Sequence, residues 1–129
     1  MSSAQARAAQ SSLSGFPEWL PAGRLVEQAF IDQLRRTFEL HGFCGIETRA
    51  VEPLAQLTKK GETSKEVYLL SRLQADPEDR DAADPAKQLG LHFDLTVPFT
   101  RYVVDNAGVL TFPFKRYQIQ KVWRGERPQ

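Results

Sequence analysis

Two short groups of polar residues in the second half of the chain have the types and spacing needed to bind a small charged ligand. In the first group, Asp94 directly follows the apolar Phe93, where a strand is expected to end. A carboxylate at a strand end can bind the ammonium group of a ligand. Aspartate is also common at such junctions as a helix cap or turn residue. The position of Asp94 alone leaves both roles open and favours the structural one.

The second group lies in a basic and aromatic segment over residues 115–129. Arg124 carries a planar fork of donors that suits a phosphate group, and Glu126 lies two residues further along the same strand face. Glu126 could accept a hydrogen bond from an amino group, so the pair could hold a nucleotide. The same charges also suit a solvated edge strand that must not aggregate. Residue chemistry alone does not separate these two interpretations.

Other kinds of site are excluded or disfavoured by the sequence. No glycine-rich loop of the GxxxxGK type occurs, which excludes a P-loop nucleotide site. His41 and His92 are the two histidines, and neither has a cysteine cluster beside it, so we expect no metal site. Cys44 is the single cysteine, which excludes an intrachain disulfide. We expect it to be buried as a small apolar residue.

Length and composition indicate one small globular domain. The chain has 129 residues, 41% of them hydrophobic and 26% charged, which supplies one core but not two domains. The net charge of +1 gives no bulk preference for nucleic acid or a membrane surface. No apolar stretch approaches membrane-spanning length, and the lone cysteine fits a reducing cytoplasm. Residues 1–14 are rich in Ser, Ala and Gln, and we expect a flexible tail there.

The first element that must position the polar groups is a predicted helix over residues 23–40. Its apolar residues recur every four positions and form one stripe, Val26, Phe30, Leu34 and Phe38. His41 suits the C-terminal end of the helix, and Gly42 suits the turn that ends it. A strand is predicted over residues 43–52, followed by a turn at Pro53.

The next elements are a pair of strands joined by an acidic segment. A strand over residues 67–70 is expected to pair with one over residues 88–95. Residues 75–87 between them contain five acidic side chains and two prolines and almost no bulky apolar side chain. Because such a segment cannot bury itself, we expect a mobile insertion.

The last predicted elements are a short helix and a strand. Thr96 could cap a helix that accepts Pro98 in its first turn and ends at Gly108. A strand over residues 112–124 follows. Because strands and helices do not alternate regularly, the predicted fold class is α+β, with a mostly antiparallel sheet and flanking helices.

Both polar groups lie in blocks of sequence that resemble the histidyl-tRNA synthetases, a family of class II aminoacyl-tRNA synthetases. Residues 123–129, Trp-Arg-Gly-Glu-Arg-Pro-Gln, resemble motif 2, in which an aromatic-Arg-x-Glu core is followed by Arg-Pro. Residues 94–99, Asp-Leu-Thr-Val-Pro-Phe, are similar to the segment that binds the histidine amino group. Residues 15–21 and the helix ending at His41-Gly42-Phe43 resemble the leading loop and motif 1. These four blocks follow one another along the chain in the same order as in the histidyl-tRNA synthetases.

The resemblance implies a role for each matched residue. Arg124 would contact the α-phosphate of ATP, and Glu126 would meet the adenine amino group. Asp94 and Thr96 would hold the α-amino group of histidine. The implied partners are histidine, ATP with Mg²⁺, and tRNA(His), although no residue of this chain can be named as a Mg²⁺ ligand. Motif 1 would supply a homodimer interface, and the implied location is the cytoplasm.

The chain departs from the family pattern at two places. Arg49 stands where motif 1 has a proline, which puts the motif 1 contact in question. The family continues beyond Gln129 with the motif 2 loop, a histidine-specific block, motif 3 and an anticodon-binding domain. We therefore interpret residues 15–129 as a truncated catalytic domain that runs from motif 1 to motif 2, and we expect the chain alone to be inactive.

Two alternatives from other functional classes stay open. One is a catalytically silent, synthetase-like regulatory subunit of the ATP phosphoribosyltransferase that begins histidine biosynthesis. The other is a dimerisation module in which only the sheet and the motif 1 helix matter. The intact Arg124, Glu126 and Gln129 favour the enzyme.

Overall fold

The computed structural model of the chain describes residues 13, 15–59, 65–72, 84 and 86–125. Most of the predicted tail over residues 1–14 lies outside them, as do most of the predicted insertion over residues 75–87 and Glu126. The tail and the insertion therefore stay predictions.

Helix α1 spans Pro21–Leu40, so the helix predicted over residues 23–40 is confirmed. It begins two residues earlier because proline, with its fixed φ, fits the first helical turn. His41 follows as the C-cap, and Gly42 takes a φ of +79°, which residues with a Cβ rarely adopt. The Gly42 N–H donates to the Glu39 carbonyl oxygen at 3.0 Å. The predicted stop at this glycine is confirmed.

The strands form one parallel pair and one antiparallel sheet. Strands β1 (Cys44–Gly45) and β5 (Arg116–Tyr117) pair in parallel. The other strands are β2 (Val51–Pro53), β3 (Leu69–Leu70) and β4 (Leu89–Leu91), and they form an antiparallel sheet in the order β2-β4-β3. The α+β class with a mostly antiparallel sheet is confirmed, and so is the pairing of the strands predicted over residues 67–70 and 88–95. The parallel pair was not predicted.

A side-chain contact interrupts the strand that the sequence predicts over residues 43–52. Thr48 is buried between β1 and β2, and its N–H donates to Gln120 Oε1 at 3.2 Å. In return, Gln120 Nε2 donates to the Thr48 carbonyl oxygen at 2.7 Å. The amide of Gln120 thus takes the place of a neighbouring strand's backbone, and the ladder does not run through Thr48.

Two shorter helices flank the antiparallel sheet. Pro53 is the N-cap of helix α2 (Leu54–Leu57), so the expectation of a simple turn at Pro53 was wrong. Helix α3 spans Thr96–Asp105, and Pro98 lies in its first turn as predicted, but Leu95 is the N-cap and Thr96 the first helical residue, so the prediction that Thr96 caps the helix was wrong. It ends before Gly108 because Asn106 Nδ2 donates to the Tyr102 carbonyl oxygen at 2.8 Å. No helix among the described residues is long and apolar enough to cross a membrane.

The expectation that Cys44 would be buried was wrong. Its side chain is exposed, and Sγ donates to the Lys115 carbonyl oxygen at 3.3 Å. The physical reason is that β1 has two residues and pairs only with β5 in the described structure, so the Cys44 side chain is not enclosed.

The core lies between α2, the antiparallel sheet and the start of α3. Its buried apolar residues are Leu57, Phe93 and Val97, with Val67 packed against them. Gly90 lies at the centre of the sheet, paired with both β2 and β3. A Cβ on Gly90 would lie 2.9 Å from Val67 Cγ1 and 3.0 Å from Leu57 Cδ1. The close approach of α2 to the sheet therefore requires glycine at this position.

We predict that Gly90→Ala lowers the free energy of unfolding by about 1–3 kcal/mol, because the added methyl group overpacks a filled core. Gly108→Ala is the matched control, since a Cβ there has nothing within 4 Å. Urea denaturation followed by circular dichroism measures both variants. Equal midpoints for the two variants would contradict the close packing around Gly90.

Candidate functional site

Asp94 lies between β4 and α3, and its carboxylate caps the helix. Oδ1 accepts a hydrogen bond from the Val97 N–H at 3.1 Å. The structural role that sequence position favoured is therefore present. Oδ2 makes no hydrogen bond with any residue that the structure describes. One oxygen of a half-buried carboxylate is thus free to meet a ligand while the other holds the helix.

Thr96 is the first residue of α3, and its side chain is exposed two residues after Asp94. Its carbonyl oxygen accepts from Thr100 Oγ1 at 2.9 Å, and its hydroxyl makes no hydrogen bond with any residue that the structure describes. The Asp94 cap and the exposed Thr96 hydroxyl therefore lie at the same end of α3. A carboxylate and a hydroxyl together suit a cationic or hydrogen-bond-donating group of a ligand.

Arg124 connects the second polar group to the first. Its Nε donates to the Phe93 carbonyl oxygen at 3.1 Å, immediately before Asp94. The rest of the guanidinium makes no hydrogen bond within the described part of the chain, and the side chain is exposed. The sequence placed Asp94 and Arg124 in separate groups, and the structure brings them together across one backbone carbonyl. Glu126, the other residue of the second group, lies outside the described residues.

The main chain around Arg124 is held on both sides. The Trp123 N–H donates to the His92 carbonyl oxygen at 3.1 Å, and the Gly125 N–H donates to the Glu66 carbonyl oxygen at 2.8 Å. These bonds fix the backbone directly before and directly after Arg124. Of the strand predicted over residues 112–124, only the two residues of β5 form a strand, and the segment that follows is instead anchored by these single bonds to the end of β4 and to the loop before β3.

A buried carboxylate that sequence reasoning missed holds α3 in place. Glu52 in β2 has no solvent exposure. Its Oε1 accepts from Arg101 Nε at 2.8 Å, and its Oε2 accepts from Arg49 Nη2 at 2.8 Å. Arg101 also donates to Asp105, one helical turn further on. In the sequence, Glu52 could have been recognised as a buried carboxylate because it is an acidic residue between the apolar Val51 and Pro53.

The environment of Arg101 strengthens its positive charge. Burial of this side chain disfavours the charge, but the hydrogen bonds to Asp105 and Glu52 outweigh that effect and raise the pKa of Arg101 above its ordinary value. Arg101 therefore stays charged throughout the range in which the protein can be folded. Arg49, which replaces the proline expected from the motif 1 resemblance, is the second partner of Glu52.

Aromatic contacts hold α3 from another side. The Arg116 guanidinium lies 3.9 Å from the centroid of the Phe99 ring, within the range of a cation–π contact. Phe114 stacks on both Phe99 and Tyr102. Helix α3, which begins beside Asp94, is thus packed against the segment that leads to Arg124.

Known proteins are similar to this chain over most of its length. No family model matches the chain. The histidine–tRNA ligase of Micrococcus luteus is 69% identical over 127 residues, covering 93% of this chain and 28% of that protein. The histidine–tRNA ligase of Thermobifida fusca is 60% identical, covering 91% of this chain and 26% of that protein. The chain spans about a quarter of the length of these relatives.

Solved structures are similar over nearly the whole chain. The histidyl-tRNA synthetase from Nostoc sp. PCC 7120 superposes with a TM-score of 0.77 at 40% identity, covering 91% of this chain and 25% of that one. An ATP phosphoribosyltransferase regulatory subunit/histidyl-tRNA synthetase from Bacillus halodurans superposes with a TM-score of 0.69 at 20% identity, covering 91% of this chain and 29% of that one. The second likeness shows the shared fold alone.

We predict that Glu52→Gln lowers the free energy of unfolding by about 3 kcal/mol, because it leaves the poorly exposed Arg101 without its buried anion. Glu47→Gln removes the same charge from an exposed side chain, and its effect should stay within about 0.5 kcal/mol. Chemical denaturation of both variants measures the difference. If Glu52→Gln were as stable as Glu47→Gln, the ion pairs would not hold α3.

Proposed function

We propose that this chain, which corresponds to the catalytic-domain segment of histidyl-tRNA synthetases that ends in motif 2, belongs to an enzyme that activates histidine with ATP and transfers it to tRNA(His). The observation that carries the proposal is the contact between Arg124 and the carbonyl of Phe93, because it joins a side chain suited to binding a phosphate to the loop that presents Asp94. The names and identities of the two ligase relatives support it.

In the proposed first step, a carboxylate oxygen of histidine attacks the α-phosphorus of ATP. A new oxygen–phosphorus bond forms, the bond to the β-phosphate oxygen breaks, and pyrophosphate leaves. Arg124 would contact the α-phosphate and stabilise the negative charge that builds there. Glu126 would accept from the adenine amino group. Mg²⁺ would accompany ATP, and none of the residues in the chain is assigned to it.

Asp94 and Thr96 would hold the α-amino group of histidine. The free Oδ2 of Asp94 suits an ammonium group, and the Thr96 hydroxyl lies at the same helix end. Fixing the amino group places the carboxylate for attack, so a large share of the rate enhancement would come from positioning. We place the enzyme in the cytoplasm.

Helix α1 supports the further proposal that two copies of the protein form a homodimer. None of its residues is buried, and its apolar stripe is exposed, with 69% of Phe30 accessible. A groove next to this stripe is lined by Trp19, Val26, Phe30, Ile31, Leu34 and Ile119. A contiguous apolar surface of this kind marks an interaction site. The motif 1 resemblance of α1 favours a second copy of the protein as the occupant.

We predict that the full-length gene product exchanges pyrophosphate into ATP in a histidine-dependent manner. Arg124→Gln should lower the exchange rate by about 10²–10³-fold, because it removes charge stabilisation at the α-phosphate. Asp94→Asn should raise the KM for histidine about tenfold or more, because the amide still caps α3 but no longer pairs with an ammonium group.

Arg36→Gln is the control for this experiment, because Arg36 is an exposed arginine on α1 whose loss should leave the exchange rate unchanged. A wild-type protein without histidine-dependent exchange would overturn the proposed function. If the wild-type protein were active and Arg124→Gln had no effect, the role of Arg124 would be wrong.

We also predict that Phe30→Glu weakens self-association of the full-length gene product at least about tenfold, because it places a charge at the centre of an apolar interface. Leu25→Glu is the matched control, since Leu25 is equally exposed but does not line the groove. Sedimentation equilibrium measures both variants. A monomeric wild-type protein at high concentration would contradict the homodimer.

A further inference from the structure

We propose that His92 is a positioning residue that fixes the main chain before Arg124 relative to the loop that carries Asp94. The inference rests on the proposed function and adds a residue to it that neither touches a substrate nor belongs to the matched motifs. His92 is fully buried and lies between β4 and Asp94.

Three hydrogen bonds join the end of β4 to the segment before Gly125 among the described residues, and His92 makes two of them. The His92 carbonyl oxygen accepts from the Trp123 N–H at 3.1 Å, and the His92 ring Nε2 lies 2.7 Å from the Lys121 carbonyl oxygen. The third bond is that of Arg124 itself to Phe93. His92 therefore binds this segment at two points, two residues apart.

The contact with Lys121 identifies the ring nitrogen of His92 that donates. A carbonyl oxygen only accepts, so Nε2 must carry the proton and donate it to Lys121. Within the described part of the chain, Nδ1 is buried and has no hydrogen-bond partner. A buried unpaired acceptor is unfavourable by about 1–3 kcal/mol. A phenylalanine ring would fill the same space without that cost, so what histidine adds is the bond to Lys121.

The ring also fixes the residue beside Arg124 by stacking. The His92 and Trp123 rings are 5.5 Å apart with an interplanar angle of 28°. The backbone bond, the ring bond and the stacked pair all restrain residues 121–123. Arg124 follows directly, so its approach to Phe93 depends on where these three residues lie.

Asp94 is less dependent on the His92 ring. The His92 N–H donates to the Ala50 carbonyl oxygen at 2.9 Å, which attaches this part of the chain to the edge of β2 through the backbone. Asp94 is held in addition by its own bond to the Val97 N–H. Loss of the ring donor should therefore displace Arg124 more than Asp94, and it should affect the turnover rate more than histidine binding.

The test compares three variants of the full-length gene product by histidine-dependent pyrophosphate exchange. His92→Phe keeps a ring to stack on Trp123 but has no donor. His92→Gln carries an amide donor at about the reach of Nε2, and His92→Asn carries the same donor one methylene shorter. Amide hydrogen exchange of Trp123 and Val97 reports on the two anchoring points separately from activity.

We expect His92→Phe to lower kcat about 10–100-fold, because small misplacements of a reacting group have effects of this size. Because Asp94 should move little, the KM for histidine should change less than about threefold. His92→Gln should restore most of kcat, and His92→Asn should not. Amide protection of Trp123 should fall in His92→Phe while that of Val97 is retained.

An active wild-type protein with an unchanged kcat in folded His92→Phe would overturn the positioning role and leave the proposed function standing. Equal kcat values for His92→Gln and His92→Asn would also overturn it, and this pair decides the question if His92→Phe does not fold. A wild-type protein without exchange activity would overturn the proposed function together with this inference.

Discussion

The buried carboxylate of Glu52 is the constraint on which the arrangement of the site depends. An ionised group with no solvent exposure is unfavourable by several kcal/mol unless cations and hydrogen-bond donors surround it. Arg101 and Arg49 meet that requirement from α3 and from the segment before β2. Because Arg101 has few alternative positions, the pair fixes α3 against the antiparallel sheet. Asp94 and Thr96 lie at the start of that helix and are positioned with it.

Asp94 combines two roles that the sequence presented as alternatives. Its Oδ1 satisfies a backbone N–H at the start of α3, which orders the carboxylate before any ligand arrives. A capped aspartate of this kind offers its second oxygen at little further loss of side-chain entropy. The structural role therefore prepares the proposed binding role.

The parts of the fold that local sequence determines were predictable, and the parts that distant contacts determine were not. The apolar spacing in α1 and Pro98 in α3 identify both helices, and alternation identifies the β3–β4 pair. The parallel pairing of β1 with β5 and the exchange between Thr48 and Gln120 depend on residues about 70 positions apart, and no local pattern encodes them. Asp94 and Arg124 could each be singled out by chemistry. Their meeting at the Phe93 carbonyl needed the tertiary structure.

The parallel β1–β5 pair has a consequence for the order in which the protein folds during synthesis. Cys44 and Lys115, which hydrogen-bond at one end of this pair, are 71 residues apart. Closing so long a segment carries a large entropic cost, so the pairing comes late among folding events. Until residue 117 leaves the ribosome, Phe38 lacks Tyr117, the ring on which it stacks at 5.3 Å. Until then Phe38, at the end of the apolar stripe of α1, adds to the apolar surface that the helix exposes, so a chaperone would have the strongest reason to bind α1 in that interval.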